Sequence, residues 1–417
     1  MTDVELRIRI TQSLADVPAR AWNTCACQTV PLSTQPESEA KFTAGDIFSP
    51  ILSTEGNSGN PFVSHEFLSS LEASGSVGGR TGWQPRHLLA EASGELVGAA
   101  PCYVKTHSRG EYVFDHSWAE AFERAGGNYY PKLQLAVPFT PVTGPRLLVA
   151  PGAQRGAIRG ALADAIVEIT TASELSSAHI TFLTQEEWQA MGEKGFLRRT
   201  DQQFHWENTG YGSFDDFLTA LASRKRKTIR RERKEAMKAD IEVCWLTGND
   251  LTESVWDAFF AFYMETGSRK WGRPYLNRAF FSIVAEKMRD RILLVMARRA
   301  GRWIAGAINF IGADTLYGRN WGAIEHHPFL HFELCYYQAI DYAITHRLKR
   351  VEAGAQGEHK LARGYLPHTT YSAHFIANPA LRRAIAEYLA RERAYVQAAA
   401  GELAAAAPFR KDLVEQD

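Results

Sequence analysis

The sequence predicts an α/β protein in which one α/β unit is used twice. The first observation is a near-copy. Leu88-Leu89-Ala90 runs into Gly94-Glu95-Leu96-Val97-Gly98-Ala99-Ala100, and Leu293-Leu294-Val295-Met296-Ala297 runs into Gly301-Arg302-Trp303-Ile304-Ala305-Gly306-Ala307-Ile308. Each reads as strand, Gly-containing turn, strand, with one extra residue after the turn in the second copy. The second observation is a helix and a strand downstream of each pair. A helix over 157–169 leads into a strand at 179–183. A helix marked by Phe332, Cys335, Tyr336, Ala339, Ile340, Ala343 and Ile344 leads into a strand at 350–354. The third is length: 417 residues exceed one core and fit two domains of roughly 200 residues each.

Residues 5–10 alternate as a strand, and 15–26 read as a short helix. Residues 28–60 lose periodicity to Ser, Thr, Gly, Pro and Glu and read as a mobile insertion. Order returns over 61–74, where Phe67, Leu68 and Leu71 fall at helical spacing. Residues 106–150 read as irregular but ordered. Residues 185–191 read as a short helix and 203–207 as a strand. Ser213 followed by Asp216 resembles a capping box with a shortened acid, opening one helix that continues through the basic run 224–238. A strand over 242–246 and helices over 252–266 and 277–289 precede the second strand pair. Asn378-Pro379 opens a last helix to about residue 398. The organisation expected is a first lobe over 1–207, a second over 208–395 and a frayed Ala-rich tail over 396–417.

Apolar content of 45% and charged content of 23% are those of a globular chain. Net charge is zero, so bulk attraction to nucleic acid or membrane is not implied. Cys25, Cys27, Cys102, Cys244 and Cys335 are sparse and odd in number. Cys25 and Cys27 have no second pair to complete a metal site, so no metal is expected and a reduced, cytoplasmic protein is. The N-terminus lacks a basic segment followed by an apolar run, and no stretch approaches ~20 apolar residues, so neither an ordinary signal peptide nor a membrane span is expected.

Several longer runs resemble one family. They are Pro61-Phe62-Val63-Ser64-His65-Glu66-Phe67-Leu68 with Leu71-Glu72-Ala73-Ser74-Gly75-Ser76, and Lys105-Thr106-His107-Ser108-Arg109-Gly110-Glu111-Tyr112-Val113-Phe114-Asp115. Tyr129-Tyr130-Pro131-Lys132, Pro138-Phe139-Thr140-Pro141-Val142-Thr143-Gly144-Pro145-Arg146 and Glu352-Ala353-Gly354-Ala355-Gln356-Gly357-Glu358-His359-Lys360 continue them. Across 61–376 the chain resembles the FemAB-like proteins, departing from them at 28–60, where the family has a short connection. The resemblance implies an α/β fold of two tandem GNAT-like (acyl-CoA N-acyltransferase-type) lobes with mixed central sheets. It is similar to the Fem peptidyltransferases, which add amino acids from aminoacyl-tRNA to a peptidoglycan precursor.

Amide formation needs a neutral amine, a stabilised carbonyl oxygen and close positioning. Lys360 follows a strand and a Gly-rich bend (Gly354, Gly357), and the resemblance implies a lysine here in related transferases. It would hold a phosphate or the developing oxyanion. His359 beside it suits a proton shuttle, with Gln356 and Glu358 as substrate contacts. Glu333 begins the strongest helix off its apolar stripe, and two readings stand: acceptor of the amine's proton, or complement to the helix N-terminus. Arg319, Asn320 and Trp321 cluster on the strand before it. His107, Glu111, Asp115, Tyr129, Tyr130, Lys132 and Arg146 fall in the irregular part of the first lobe and are expected to bind the acceptor in a cleft between lobes.

The run 224–238 holds nine Lys or Arg and two Glu. It is either a solvated helix face or a contact for the phosphates of a tRNA. Acetyl-CoA enzymes of the implied fold cradle pyrophosphate on a Gly-rich loop before a helix. Here Glu325-His326-His327-Pro328-Phe329-Leu330 lacks glycine, and its proline removes an N–H donor. Pro151-Gly152-Ala153-Gln154-Arg155-Gly156 is glycine-containing but off-pattern. The expected activity is therefore acyl or aminoacyl transfer to an amine, with no tightly bound cofactor and a donor that is an aminoacyl-tRNA or an acyl thioester. Alternatives are an acyl-CoA N-acyltransferase, a non-catalytic binding protein for peptides or nucleotide sugars, and a nucleic-acid-binding protein resting on the basic run. Oligomeric state is not legible in the sequence.

Overall fold

In the computed structural model, residues 5–26, 59–152, 154–271, 274–354 and 357–410 are described. The expected insertion lies outside them save for residues 59 and 60, as do Cys27, Gln356 and the side chain of Glu358. The strands are β1 (Leu6–Thr11), β2 (Trp83–Pro85), β3 (His87–Ala92), β4 (Glu95–Ala100), β5 (Cys102–Lys105), β6 (Lys132–Leu135), β7 (Leu148–Val149) and β8 (Ser177–Leu183). They continue as β9 (Leu197–Glu207), β10 (Ile241–Leu246), β11 (Ile292–Arg299), β12 (Arg302–Ile311), β13 (Thr315–Ala323), β14 (Arg350–Glu352) and β15 (Leu366–Ile376).

The two sequence copies are the hairpins β3–β4 and β11–β12. Each closes on two residues of positive φ: Ser93 and Gly94 in one, Ala300 and Gly301 in the other. Each carries a bulge at the same place. Ala90 pairs Gly98 and Glu91 pairs Leu96, while Ala297 pairs Ala305 and Arg298 pairs Trp303. The extra residue expected in the second copy is therefore absent. Matching Gly98 to Gly306 misaligns the copies by one, because the turn and the bulge set the register and the glycines do not.

The duplication extends outward. β1 pairs antiparallel with β3 as β10 does with β11. Each half also has one parallel pair, β6–β8 and β13–β14, whose second strand follows a helix: Arg155–Ala172 in one half, Gln338–Thr345 in the other. These are two tandem GNAT-like lobes. Their strands form a four-stranded sheet, β1-β3-β4-β7, and a mixed eleven-stranded sheet, β10-β11-β12-β13-β14-β9-β15-β8-β6-β5-β2. The large sheet runs through both lobes because strands interleave: β15 lies between β9 and β8, and β9 lies between β14 and β15.

The cores interlock as well. Phe62 packs on Phe310 and Tyr317 at ring separations of 4.9 and 5.3 Å, and Phe67 meets Phe280 at 5.8 Å. All five rings belong to one apolar cluster. Helix Glu253–Trp271 lies against β12 and β13. Gly322 permits this contact, since a Cβ there would stand 2.0 Å from the Phe262 carbonyl oxygen.

Four local expectations change. The region 106–150 contains a helix, His116–Arg124. The basic helix does not continue from residue 213: Phe214–Ala220 ends at Leu221, which is extended and bridges Phe409, and Ser223–Ala236 starts anew. Ser213 accepts from the Asp216 N–H at 3.1 Å as a simple cap. The helix after β13 widens into a π turn over Glu333–Tyr337. The last helix runs from Pro379 to Ala405, so the expected frayed tail is helical as far as residue 405, as its alanines favour; residues 411–417 lie outside the described residues.

Candidate active site

The parallel ladder of β13 and β14 ends at Tyr317–Glu352. Beyond it Gly318–Trp321 on one side and Ala353–Gly354 on the other open onto a cleft of about 710 Å³. On β13 two residues, Arg319 and Asn320, oppose the single Ile308, since Ala307 pairs Trp321 and Asn309 pairs Gly318. This bulge turns the strand's side chains into the opening. The first lobe supplies the facing wall through Ser108–Gly110, Tyr112, Phe114 and Phe139. Phe139 stacks on Tyr275 of the second lobe at 4.9 Å and an interplanar angle of 9°, so the cleft lies between the lobes.

Lys360 lines this cleft from the short helix Glu358–Arg363 that follows the bend. Gly357 takes φ 110° there, and a Cβ on it would collide with the His359 ring. Lys360 is 2% exposed. Its Nζ donates to the carbonyls of Ala353 at 2.7 Å and Gly354 at 2.9 Å. An ammonium has three hydrogens, so one remains. Burial lowers Lys360 to about 8, with Arg319 adding to the effect. His359 also lines the cleft, its Nε2 2.9 Å from the Tyr336 hydroxyl.

Arg319, Asn320 and Trp321 line the cleft as well. The Arg319 guanidinium lies over the rings of Phe62 and Tyr317 and donates from Nη1 to the Gly318 carbonyl at 2.8 Å. Trp321 sits against His331 at 5.0 Å. Sequence reasoning missed Asn309, Tyr263, Thr266, Cys335 and Tyr336, all in the lining. Tyr263 and Cys335 sit within apolar helix stripes that read as core. The bulge that exposes Asn309 has no local sequence signal.

The seven residues expected from the first lobe lie outside the cleft lining. Six of them build a polar layer behind its wall. Lys132 donates to Ser108 Oγ at 2.8 Å, to Glu111 at 2.7 Å and to Asp115 at 2.5 Å. Tyr129 donates to Asp115 at 2.8 Å, and the Tyr130 hydroxyl meets Ser108 Oγ at 2.8 Å. Burial raises the Glu111 carboxyl, while Lys132 and His179 outweigh burial and hold Asp115 below the usual range. His107 Nδ1 accepts from the Arg109 N–H at 3.2 Å, and its Nε2 lies 2.9 Å from the Thr81 carbonyl. These contacts fix the loop Ser108–Gly110, which does face the cleft. Arg146 is apart from the other six. It is fully buried, and its Nη1 and Nη2 donate to the carbonyls of Val142, Gly144 and Pro145.

Glu333 is also elsewhere. It is 1% exposed, it is outside the cleft lining, and both its oxygens accept from Arg233, with Gln338 Nε2 at 2.7 Å. A carboxylate so engaged has no route to an amine in the cleft. Of the basic helix, Arg233 serves Glu333 and Asp341, Arg230 serves Asp215 and Lys238 serves Glu235. Arg224, Lys227, Arg231 and Lys234 are exposed without ion pairs among the described residues.

A second cavity of about 470 Å³ shares Thr266, Trp321 and His331 with the cleft and reaches the start of the helix at Leu330. The segment expected to lack a pyrophosphate cradle lines it. Phe329 takes φ 61° where the helix begins. Hydrogen bonds from His327, Arg302 and Arg299 hold Glu325 down at about 2, so an anion already stands beside that helix start. Among the described residues no group of three or more His, Cys, Asp or Glu is placed to hold a metal, and no helix is long and apolar enough to cross a membrane.

No curated protein matches the chain. Solved structures similar in fold include FemX, at 12% identity and TM-score 0.49 over 77% of this chain and 93% of that one. A tandem GNAT protein from the clavulanic acid biosynthesis pathway aligns at 12% identity and TM-score 0.44 over 90% of this chain and 99% of that one. L-PGS from Bacillus licheniformis aligns at 7% identity and TM-score 0.48, over 77% and 95%. A family model described as FemAB-like, peptidoglycan biosynthesis/recognition, matches residues 13–411, which takes in both lobes, the cleft and the interleaved strands. The chain belongs to the FemAB-like family.

Proposed function

We propose that this protein is an acyl- or aminoacyltransferase that forms an amide on an amine acceptor held in the inter-lobe cleft. The observation that carries the reading is Lys360: a buried lysine at the mouth of parted strands, with two hydrogens committed to carbonyls and one left. The amine nitrogen attacks the donor's carbonyl carbon. The C–N bond forms, the C–O bond of an ester or C–S bond of a thioester breaks, and the departing atom takes the proton the amine gives up. The remaining Lys360 hydrogen stabilises the oxygen as charge develops on it. The family's connection with peptidoglycan makes a peptidoglycan-precursor amine the first acceptor to try.

The donor reading favours aminoacyl-tRNA over acyl-CoA. The segment before Leu330 lacks glycine and its Pro328 offers no N–H to a pyrophosphate, while the exposed Arg224, Lys227, Arg231 and Lys234 offer phosphate contacts on the second lobe. Incubation with charged tRNAs and with acyl thioesters, each with an amine acceptor, tests both. Loss of charge on the tRNA with a matching acceptor mass gain supports the reading. Transfer from acyl-CoA alone reverses the donor assignment.

A further inference from the structure

Among the described residues that line the cleft, Arg319 has hydrogen-bonding capacity left unspent. Its side chain is 6% exposed, yet Nε and Nη2 have no hydrogen-bond partner. Those two nitrogens form one edge of the guanidinium, the edge whose parallel N–H bonds fit the two oxygens of a carboxylate. Nη1 alone is used, on the Gly318 carbonyl. A buried donor left without an acceptor is unfavourable, and here two sit side by side.

The nearest anion does not answer for them. Glu352 Oε2 forms an ion pair with Nη2 at 3.7 Å, but that is beyond hydrogen-bonding distance, and Oε2 makes no hydrogen bond of its own. Burial lifts Glu352 to about 7, so near neutrality it gives up part of its charge and leaves the guanidinium under-compensated. Phe62 and Tyr317 lie against the guanidinium, with ring centres at 4.7 and 5.4 Å.

We propose that the free edge of Arg319 receives a carboxylate of the molecule bound in the cleft, so that the site selects an amine-bearing substrate that is also an acid. This rests on the transferase reading for the word substrate, and on Arg319 alone for the anion. The carboxylate would take the place Glu352 half-fills, and Glu352 competes with it. A planar monoanion suits the two parallel donors. A free phosphate is the alternative source of negative charge.

The experiment uses the full chain and two probes of one shape, lysyl-alanine and its C-terminal amide, with inorganic phosphate as a third. Binding is read by calorimetry or ligand-observed NMR for the wild type, Arg319→Lys and Glu352→Gln. The expected result is a preference for the acid over the amide of tenfold or more in the wild type. Arg319→Lys keeps the charge and loses the fork, and the preference should collapse toward unity. Glu352→Gln should tighten the acid several-fold. Three results of the binding and stability measurements overturn the inference. One is equal affinity for acid and amide in the wild type. Another is phosphate binding that depends on Arg319 while the acid shows no such dependence. The last is a Glu352→Gln protein that melts lower with no gain for the acid, which would make Arg319 the partner of Glu352 only. Transfer that proceeds equally on acid and amide sinks this inference and leaves the transferase standing. An Arg319-dependent acid preference without any transfer does the reverse.

Discussion

Lys105 and Lys132 stand directly opposite each other on β5 and β6, both fully buried, and Glu111 reaches each of them, at 3.6 and 2.7 Å. Like charges in register repel. The arrangement holds because one carboxylate bridges them, with Asp115 beside Lys132. Lys105 shows the strain of it: burial lowers it to about 7. Glu111→Gln removes the bridge and leaves Lys105 and Lys132 with Asp115 as the one remaining anion of the cluster. The expected loss is about 3–5 kcal/mol of stability, read as a lower urea midpoint with an unchanged slope. A loss under about 1 kcal/mol would mean the cluster is not the clamp behind the cleft wall that its geometry describes.

Gly322 sets the distance between helix Glu253–Trp271 and β13. With the Phe262 carbonyl oxygen 2.0 Å from where a Cβ would stand, and backbone rather than a side-chain tip in the way, the helix has to move. Gly322→Ala should cost about 1–3 kcal/mol or more in thermal unfolding. It should also widen the cleft, because Tyr263 and Thr266 of that helix line it.

Glu333 and Lys360 separate structure from chemistry. Glu333→Gln removes the buried one of Arg233's two carboxylate partners and should lower the melting temperature. Transfer by the folded fraction should stay within about threefold of the wild type, against a loss of 10²-fold or more for Lys360→Ala. Equal losses in the two variants would return Glu333 to the reacting centre.

Lys360 also gives a pH signature. Its folded value of about 8 lies below the 10.5 of a free lysine. Between those values the unfolded chain keeps a proton the folded protein has released. Stability relative to Lys360→Met therefore rises as pH climbs from about 8 to 10.5, by up to ~3 kcal/mol. Below pH 8 the difference is flat. Activity runs the other way: if the ammonium stabilises the oxyanion, the rate falls above pH 8. Stability curves of the two proteins measured across this range would show the divergence or its absence.

The sequence exposes the duplication because hairpins are local: a two-residue turn and its paired strands lie within thirteen residues in the first copy and nineteen in the second. The interleaving of β9 and β15 was hidden because both pairings are non-local. β15 also has an obscured pattern. Its Thr370, Ser372 and His374 are buried along with Ala373 and Ile376, so polar residues do not mark an exposed face. Lys360 was legible from Gly354 and Gly357, whose spacing announces a bend. The polar residues of the first lobe were legible as a group, but their side chains turn inward to one another and leave the wall of the cleft to neighbours such as Ser108 and Tyr112. Glu333 showed its charge and hid its partner, Arg233, which is a hundred residues away.

Intact-mass analysis of an amine acceptor, incubated with the full chain and a panel of charged tRNAs and acyl thioesters, bears most directly on the cleft as a place of amide formation. The wild type should add one acyl or aminoacyl mass to the acceptor nitrogen, and Lys360→Ala should cut that rate by 10²-fold or more. A mass gain unchanged in Lys360→Ala, or none with any donor, would contradict the account.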